Sequence, residues 1–124
     1  MFAFKSDLAY VMVTEELKDY SNAIQHCIDM GARLMEVKTQ EKFDDAVELR
    51  NEIGVNFWLA AKEIDTDGNW QWNSDSAPVD LDTGFWFPGR PNTNLVRIDC
   101  LHMPVAGFYD VPCGGMRPFV CEFI

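Results

Sequence analysis

The chain has little positive charge, no closely spaced cysteine pair and no long apolar run. Its 124 residues carry 10 Lys and Arg against 20 Asp and Glu, a formal net charge of −10. That balance repels phosphate backbones and anionic lipid surfaces, so nucleic acid, heparin and acidic membranes are poor partners. No C-x-x-C pair is present, which argues against a zinc site. No apolar stretch approaches a membrane span. There is no Gly-rich phosphate loop, no H-E-x-x-H and no Ser-His-Asp order, so catalysis is not expected. Gly (8) and Pro (6) are too scarce for a disordered or fibrous chain.

What is present is a real core and an even cysteine count. Hydrophobic residues make up 48% and aromatics 13%, enough for one domain over 1–124. Cys27, Cys100, Cys113 and Cys121 read as a disulfide framework formed in an oxidising compartment. Spacing makes one long and one short loop possible, but four cysteines allow three connectivities and spacing does not choose among them. The start, MFAFKSDLAY, lacks a secretory leader's apolar stretch. The expectation is a secreted mature chain from which the leader has been removed.

Hydrophobic periodicity predicts two helices. Tyr20, Ala23, Ile24, Cys27 and Ile28 follow the spacing of one buried face, with Asp19 to cap it and Gly31 to end it. A second helix opens at Thr39, with Phe43, Ala46, Val47 and Ile53 as its stripe and Gly54 just beyond it. Strands are expected at Leu8–Val13, Leu34–Lys38, Phe57–Ala61, around Trp70 and Trp72, and at Ile98–Met103, Gly107–Asp110 and Pro118–Phe123. Residues 65–69 are a turn signal, and 73–94 is a long stretch rich in Asp, Pro, Gly and Ser. A loop of that length is usually functional. The order of elements gives an α+β fold with mostly antiparallel pairing.

These segments resemble the C-type lectin-like domain over nearly the whole chain. Phe57-Trp58-Leu59-Ala60 is similar to the family's W-I-G-L strand. Gly68-Asn69-Trp70-Gln71-Trp72 matches G-x-W-x-W, and Trp86-Phe87-Pro88-Gly89-Arg90-Pro91-Asn92 resembles W-x-x-G-E-P-N. Phe108-Tyr109-Asp110-Val111-Pro112-Cys113 resembles W-N-D-x-x-C, and Cys121-Glu122 matches the closing C-E. The resemblance implies two helices with small antiparallel sheets and a long ligand-binding loop. It also implies the short-form pairing, Cys27–Cys121 and Cys100–Cys113. Trp58, Trp70, Trp72 and Trp86 are read first as core residues.

In sugar-binding members of the family, calcium sits on the long loop and the adjoining strand. Mapped residue by residue, the glutamate before proline is Arg90 here, and a further ligand position is Ile98. Neither offers a lone pair to a hard cation. Tyr109 stands where the family has asparagine, and only Asn92 and Asp110 remain. The resemblance therefore implies no metal at the primary site and no cofactor. Glu63, Asp65, Asp67 and Asp99 are candidates for an auxiliary calcium site, with solvated acids as the plainer reading.

The preferred reading is a calcium-independent lectin in which Arg90 replaces the ion. Its guanidinium presents a rigid fork of donors, Asn92 supplies donors and an acceptor, and Asp110 accepts and can pair with Arg90. Such a set suits N-acetylhexosamines: the acetamido carbonyl accepts from Arg90, its N–H donates to a side-chain oxygen, and its methyl packs on Tyr109 or Trp86. The alternatives are a lectin-like module that binds a protein partner, or an ice binder. His102 is read as a surface or hydrogen-bonded residue. With no fifth cysteine for an interchain bridge, any homodimer is expected to be non-covalent.

Overall fold

A computed structural model describes residues 2–5, 8–66, 68–92, 97–105 and 107–123. The elements follow in the order β1 (Phe2–Lys5), β2 (Leu8–Lys18), α1 (Tyr20–Asp29), β3 (Arg33–Leu34), α2 (Gln40–Ile53) and β4 (Phe57–Glu63). Then come β5 (Trp70–Trp72), β6 (Asp99–Met103), β7 (Tyr109–Pro112) and β8 (Arg117–Phe123). The predicted α+β order holds, and β1 adds a strand ahead of those expected.

Local chemistry explains the helix ends. The Asp19 carboxylate accepts from the Asn22 N–H, and the Thr39 hydroxyl accepts from the Lys42 N–H. Gly54 closes α2 in the left-handed conformation, where its N–H reaches the Arg50 carbonyl. The α1 face is narrower than its periodicity predicts. Tyr20, Ala23 and Cys27 are buried, but Ile28 is 52% exposed. In α2, Leu49 is fully buried although it was absent from the expected stripe.

The strands join into one sheet of order β1-β2-β8-β4-β6-β7, with β3 pairing β8 and β5 pairing β4. Pairing is antiparallel except where Trp58 of β4 meets Phe119 of β8 in parallel. That single contact joins the terminal strands to the half of the sheet that carries the long loop. Both disulfides brace it: Cys27–Cys121 ties α1 to β8, and Cys100–Cys113 ties β6 to the segment after β7. In the chain-entropy account these crosslinks contribute about 4.5 and about 3 kcal/mol.

Two apolar clusters flank the sheet. One gathers Phe57, Leu59, Trp70, Trp72, Leu101, Phe108 and the loop residues Phe85 and Trp86. The other gathers Tyr20, Trp58, Phe119 and both buried ends of the long disulfide. All four tryptophans are buried, as their assignment to the core requires.

Candidate functional site

The long loop between β5 and β6 is held by its own apolar side chains and by short polar turns. Asp75, Asp80 and Thr83 each accept a backbone N–H two residues ahead. The loop's acidic composition is thus partly turn chemistry. Val79, Phe85 and Trp86 plug into the core, and the Trp86 indole N–H donates to the Asp80 carbonyl at 3.2 Å. Trp86 lies edge-on to Trp70 and Phe108 and is 8% exposed. It therefore cannot offer a face to a ligand, which corrects the expectation that it shares that role with Tyr109.

The loop meets the strand through a close backbone approach. The Phe87 N–H donates to the Phe108 carbonyl at 2.9 Å, and the Phe108 N–H donates to the Phe85 carbonyl at 2.7 Å. Gly107 makes this possible. Its φ is +134°, and a Cβ there would stand 2.5 Å from the Phe85 carbonyl oxygen. Residues 85–92 are thereby laid alongside β7, which brings positions 90 and 110 together.

At that junction Arg90 reaches across to β7. Its Nη1 donates to Asp110 Oδ1 at 3.3 Å, its Nη2 bonds the Tyr109 hydroxyl, and its guanidinium carbon lies 3.8 Å from the Tyr109 ring centroid. Asp110 is buried, and its Oδ2 accepts the Asn92 backbone N–H at 2.9 Å. The Arg90–Pro91 peptide is cis. Arg90 and Tyr109 are half-buried, and Asn92 is exposed. The pairing of Arg90 with Asp110 is as the residues suggested. Ile98 is 42% exposed.

Two contributors were missed in the sequence. Phe87 is 37% exposed and meets Tyr109 edge-on at 5.6 Å, so it extends the aromatic surface beside Arg90. Its signal was only its place beside Trp86 in the matched segment. The second is His102, which is 5% exposed rather than at the surface. It pairs with Tyr109 across the ladder and lies edge-on to its ring at 5.6 Å, and its Nδ1 has no hydrogen-bond partner among the described residues. Burial, with the charges of Arg117 and Arg90 nearby, pulls its pKa down to about 3. A neutral imidazole thus backs Tyr109 from within.

The residues do not fit the family's calcium. The Arg90 guanidinium already occupies the Asp110 carboxylate and puts a fixed charge where the ion would lie. At the auxiliary position, Glu63 Oε1 accepts the Asp99 N–H at 2.8 Å, and Asp99 Oδ1 accepts from Arg97 Nε at 2.7 Å. Asp65 accepts from the Asn69 amide. Burial pushes the Glu63 carboxyl up, against the Asp99 hydrogen bond, and the charges of Asp99 and Asp110 add to the rise. Asp67 lies outside the described residues. Among the described residues no three His, Cys, Asp or Glu side chains converge on a metal position.

Comparison with known proteins agrees with this architecture. The sequence profile of the Lectin C-type domain matches residues 16–123. The mouse protein C-type lectin domain family 4 member E is 28% identical over 108 residues, covering 83% of this chain and 50% of that protein. The chain spans about half the length of the curated relatives it matches. Among solved structures, TC14, a C-type lectin from the tunicate Polyandrocarpa misakiensis, superposes with a TM-score of 0.84 at 23% identity, covering 95% of this chain and 98% of that one. A Ca2+-dependent type II antifreeze protein in its Ca2+-free form superposes with a TM-score of 0.80 at 21% identity, covering 99% and 97%. At such identities the two structures speak to the fold alone.

Proposed function

The chain belongs to the C-type lectin domain family, and within it we propose a secreted, calcium-independent lectin domain that recognises N-acetylated hexosamines at the Arg90-Pro91-Asn92 loop. One observation carries this reading. The position that supplies a calcium-binding carboxylate in the family holds a guanidinium, seated between the Asp110 carboxylate and the Tyr109 ring. A guanidinium has five N–H donors, of which two are used on Asp110 and Tyr109, so donors remain for a ligand. The Asp110 charge balances that of Arg90, which favours a neutral glycan over an acidic one.

The parts assign themselves chemically. An acetamido carbonyl accepts from the free edge of Arg90, and its N–H donates to the Asn92 side-chain oxygen. Its methyl lies on the Phe87 and Tyr109 surface, where apolar burial stabilises it by about 25 cal/mol per Å². Asp110 orients Arg90 and holds Asn92 through its backbone. A single site of this kind is weak, and a non-covalent homodimer would raise its avidity.

A glycan array run with and without chelator is the test. Binding of GlcNAc- or GalNAc-terminated glycans that survives the chelator is expected, and Arg90→Ala should weaken it about ten- to a hundred-fold, at a stability cost of about 1–3 kcal/mol because buried Asp110 loses its cation. Arg90→Lys should lose much of it too, since the planar fork is gone. No retained glycan, together with a single protein partner from host fluid or with thermal hysteresis in ice, would replace this reading by the protein-binding or ice-binding one.

A further inference from the structure

A second feature lies away from the long loop. A groove of about 630 Å³ runs between β2, the end of α2 and the start of β8, lined among others by Thr14, Leu17, Arg50, Val55, Met116 and Arg117. Its charge is the reverse of the molecule's. The chain has twice as many acids as bases, yet among the described residues no Asp or Glu lines this groove. Among the described residues neither arginine has a carboxylate at ion-pair distance. Arg50 Nε donates to the neutral Asn56 Oδ1 at 2.8 Å. Arg117 lies 5.2 Å from the Trp58 ring centroid, and its buried Nε has no acceptor. Burial lowers its pKa, the mark of a cation short of counter-charge.

Two further observations bear on what fits there. Leu17 is 46% exposed, Val55 41% and Met116 63%, so apolar surface surrounds the arginines. The β2–β8 ladder is also irregular at this point. The β2–β8 register jumps from Val13↔Phe119 to Lys18↔Arg117, and β1 pairs β2 no further than Val11. Among the described residues Thr14–Leu17 pair with no strand in register, bulging out of the β2–β8 ladder, and they are exposed. Unpaired strand backbone is a template for an added strand.

We propose that this groove docks an extended segment of a partner protein in which a carboxylate is set among apolar side chains. The segment lies along Thr14–Leu17, its carboxylate meets Arg117 and Arg50, and its apolar residues cover Leu17, Val55 and Met116. The neighbouring groove shares Thr14 and Ile53 but is lined by Glu15, Glu16 and His26. Acid is thus favoured at one end and repelled at the other, which sets the direction of the segment. Glu16 lies 3.9 Å from His26 and 4.0 Å from Lys18, so the acidic end is only partly balanced. An anionic bilayer would suit the arginines but not Glu15 and Glu16, and it makes no use of the ladder gap.

Cellulose-bound dodecapeptides of Leu, Val and Thr carrying Asp, Asn or Lys at scanned positions provide the probe, tested against the whole chain. Asp peptides should be retained about tenfold better than their Lys counterparts. Arg50→Glu should reverse that preference. Val55→Asp, at an exposed position, should weaken retention of the Asp peptides about tenfold. Both variants should keep the parent's melting temperature within a few degrees and its glycan profile. Equal retention of Asp and Lys peptides would overturn the proposal. So would an unchanged preference in Arg50→Glu, or binding to phosphatidylserine vesicles with no peptide retained.

Discussion

Glu122 and Asp110 are buried carboxylates that each face a guanidinium, and they are used in different ways. Glu122 on β8 is fully buried, and its oxygens take Arg33 Nε at 2.7 Å, the Glu36 N–H at 3.3 Å and the Lys42 ammonium. Glu36 beside it accepts from the Ser74 N–H and hydroxyl at 2.7 and 2.8 Å. That cluster ties β3, α2, β8 and the root of the long loop, because its two carboxylates each gather donors from different elements. Asp110 on β7 instead holds one cation, Arg90, at the molecular edge, with Asn92 exposed beside it. A buried carboxylate welds elements together when it gathers donors from several of them. Asp110 orients a single cation beside the exposed Asn92, the arrangement on which the proposed recognition site rests.

The comparison breaks most sharply at Glu122. Glu122→Ala leaves Arg33 and Lys42 without their buried partner, and about 3–5 kcal/mol of stability should be lost in urea unfolding. Glycan affinity of the molecules that remain folded should be unchanged. A loss under 1 kcal/mol would place the cluster with ordinary surface pairs.

Acid tests the loop side through His102. His102 has a folded pKa of about 3, well below its unfolded value near 6.5. Between those values the unfolded chain binds the extra proton, so stability falls as pH drops through that window, by up to about 1.4 kcal/mol per pH unit. The stabilisation is fully present above the unfolded value. His102→Phe should flatten the slope in unfolding measured from pH 7 to 4. A slope that is the same in both proteins would mean the imidazole is not buried neutral behind Tyr109.

Asp110→Asn should cost less stability than the Glu122 change, about 1.5–3 kcal/mol, because Arg90 can turn to water. Its effect on glycan affinity should be at least about tenfold, since Arg90 loses its orientation. A stability loss equal to that at Glu122 with binding intact would erase the distinction between the two clusters. Calcium should have the smallest effect of all. Titration up to roughly millimolar should leave the melting temperature unmoved, and a micromolar site by calorimetry would show that the acids near Glu63 and Asp99 bind it after all.

Much of this architecture is local and was legible in the chain. Asp19, Thr39 and Gly54 mark helix ends through bonds made within a few residues, and they did so where expected. The strands that pair antiparallel announce themselves by β-prone residues and turn signals. The identity of position 90 carries its own chemistry, because a guanidinium cannot be a calcium ligand wherever it is placed. What was not legible depends on partners distant in sequence. Ile28 has the right periodicity for burial, but only the tertiary packing of α1 decides that it faces water. His102 reads as an ordinary strand histidine until Tyr109 and Arg117 close around it.

By itself, then, the sequence determined the order of elements, the candidate loop and the loss of a calcium-binding carboxylate, because these follow from side-chain identity and short-range spacing. Spacing left the disulfide pairing open, since four cysteines admit three pairings, and the family resemblance implied the pairing that the fold makes, Cys27–Cys121 and Cys100–Cys113. Tertiary structure alone decided that one parallel contact at Trp58 and Phe119 joins β4 to β8. It also placed Arg90 against Asp110, through a glycine at 107 that lets two backbones touch. Contacts across such separations come from packing and register, and one-dimensional spacing does not encode them residue by residue.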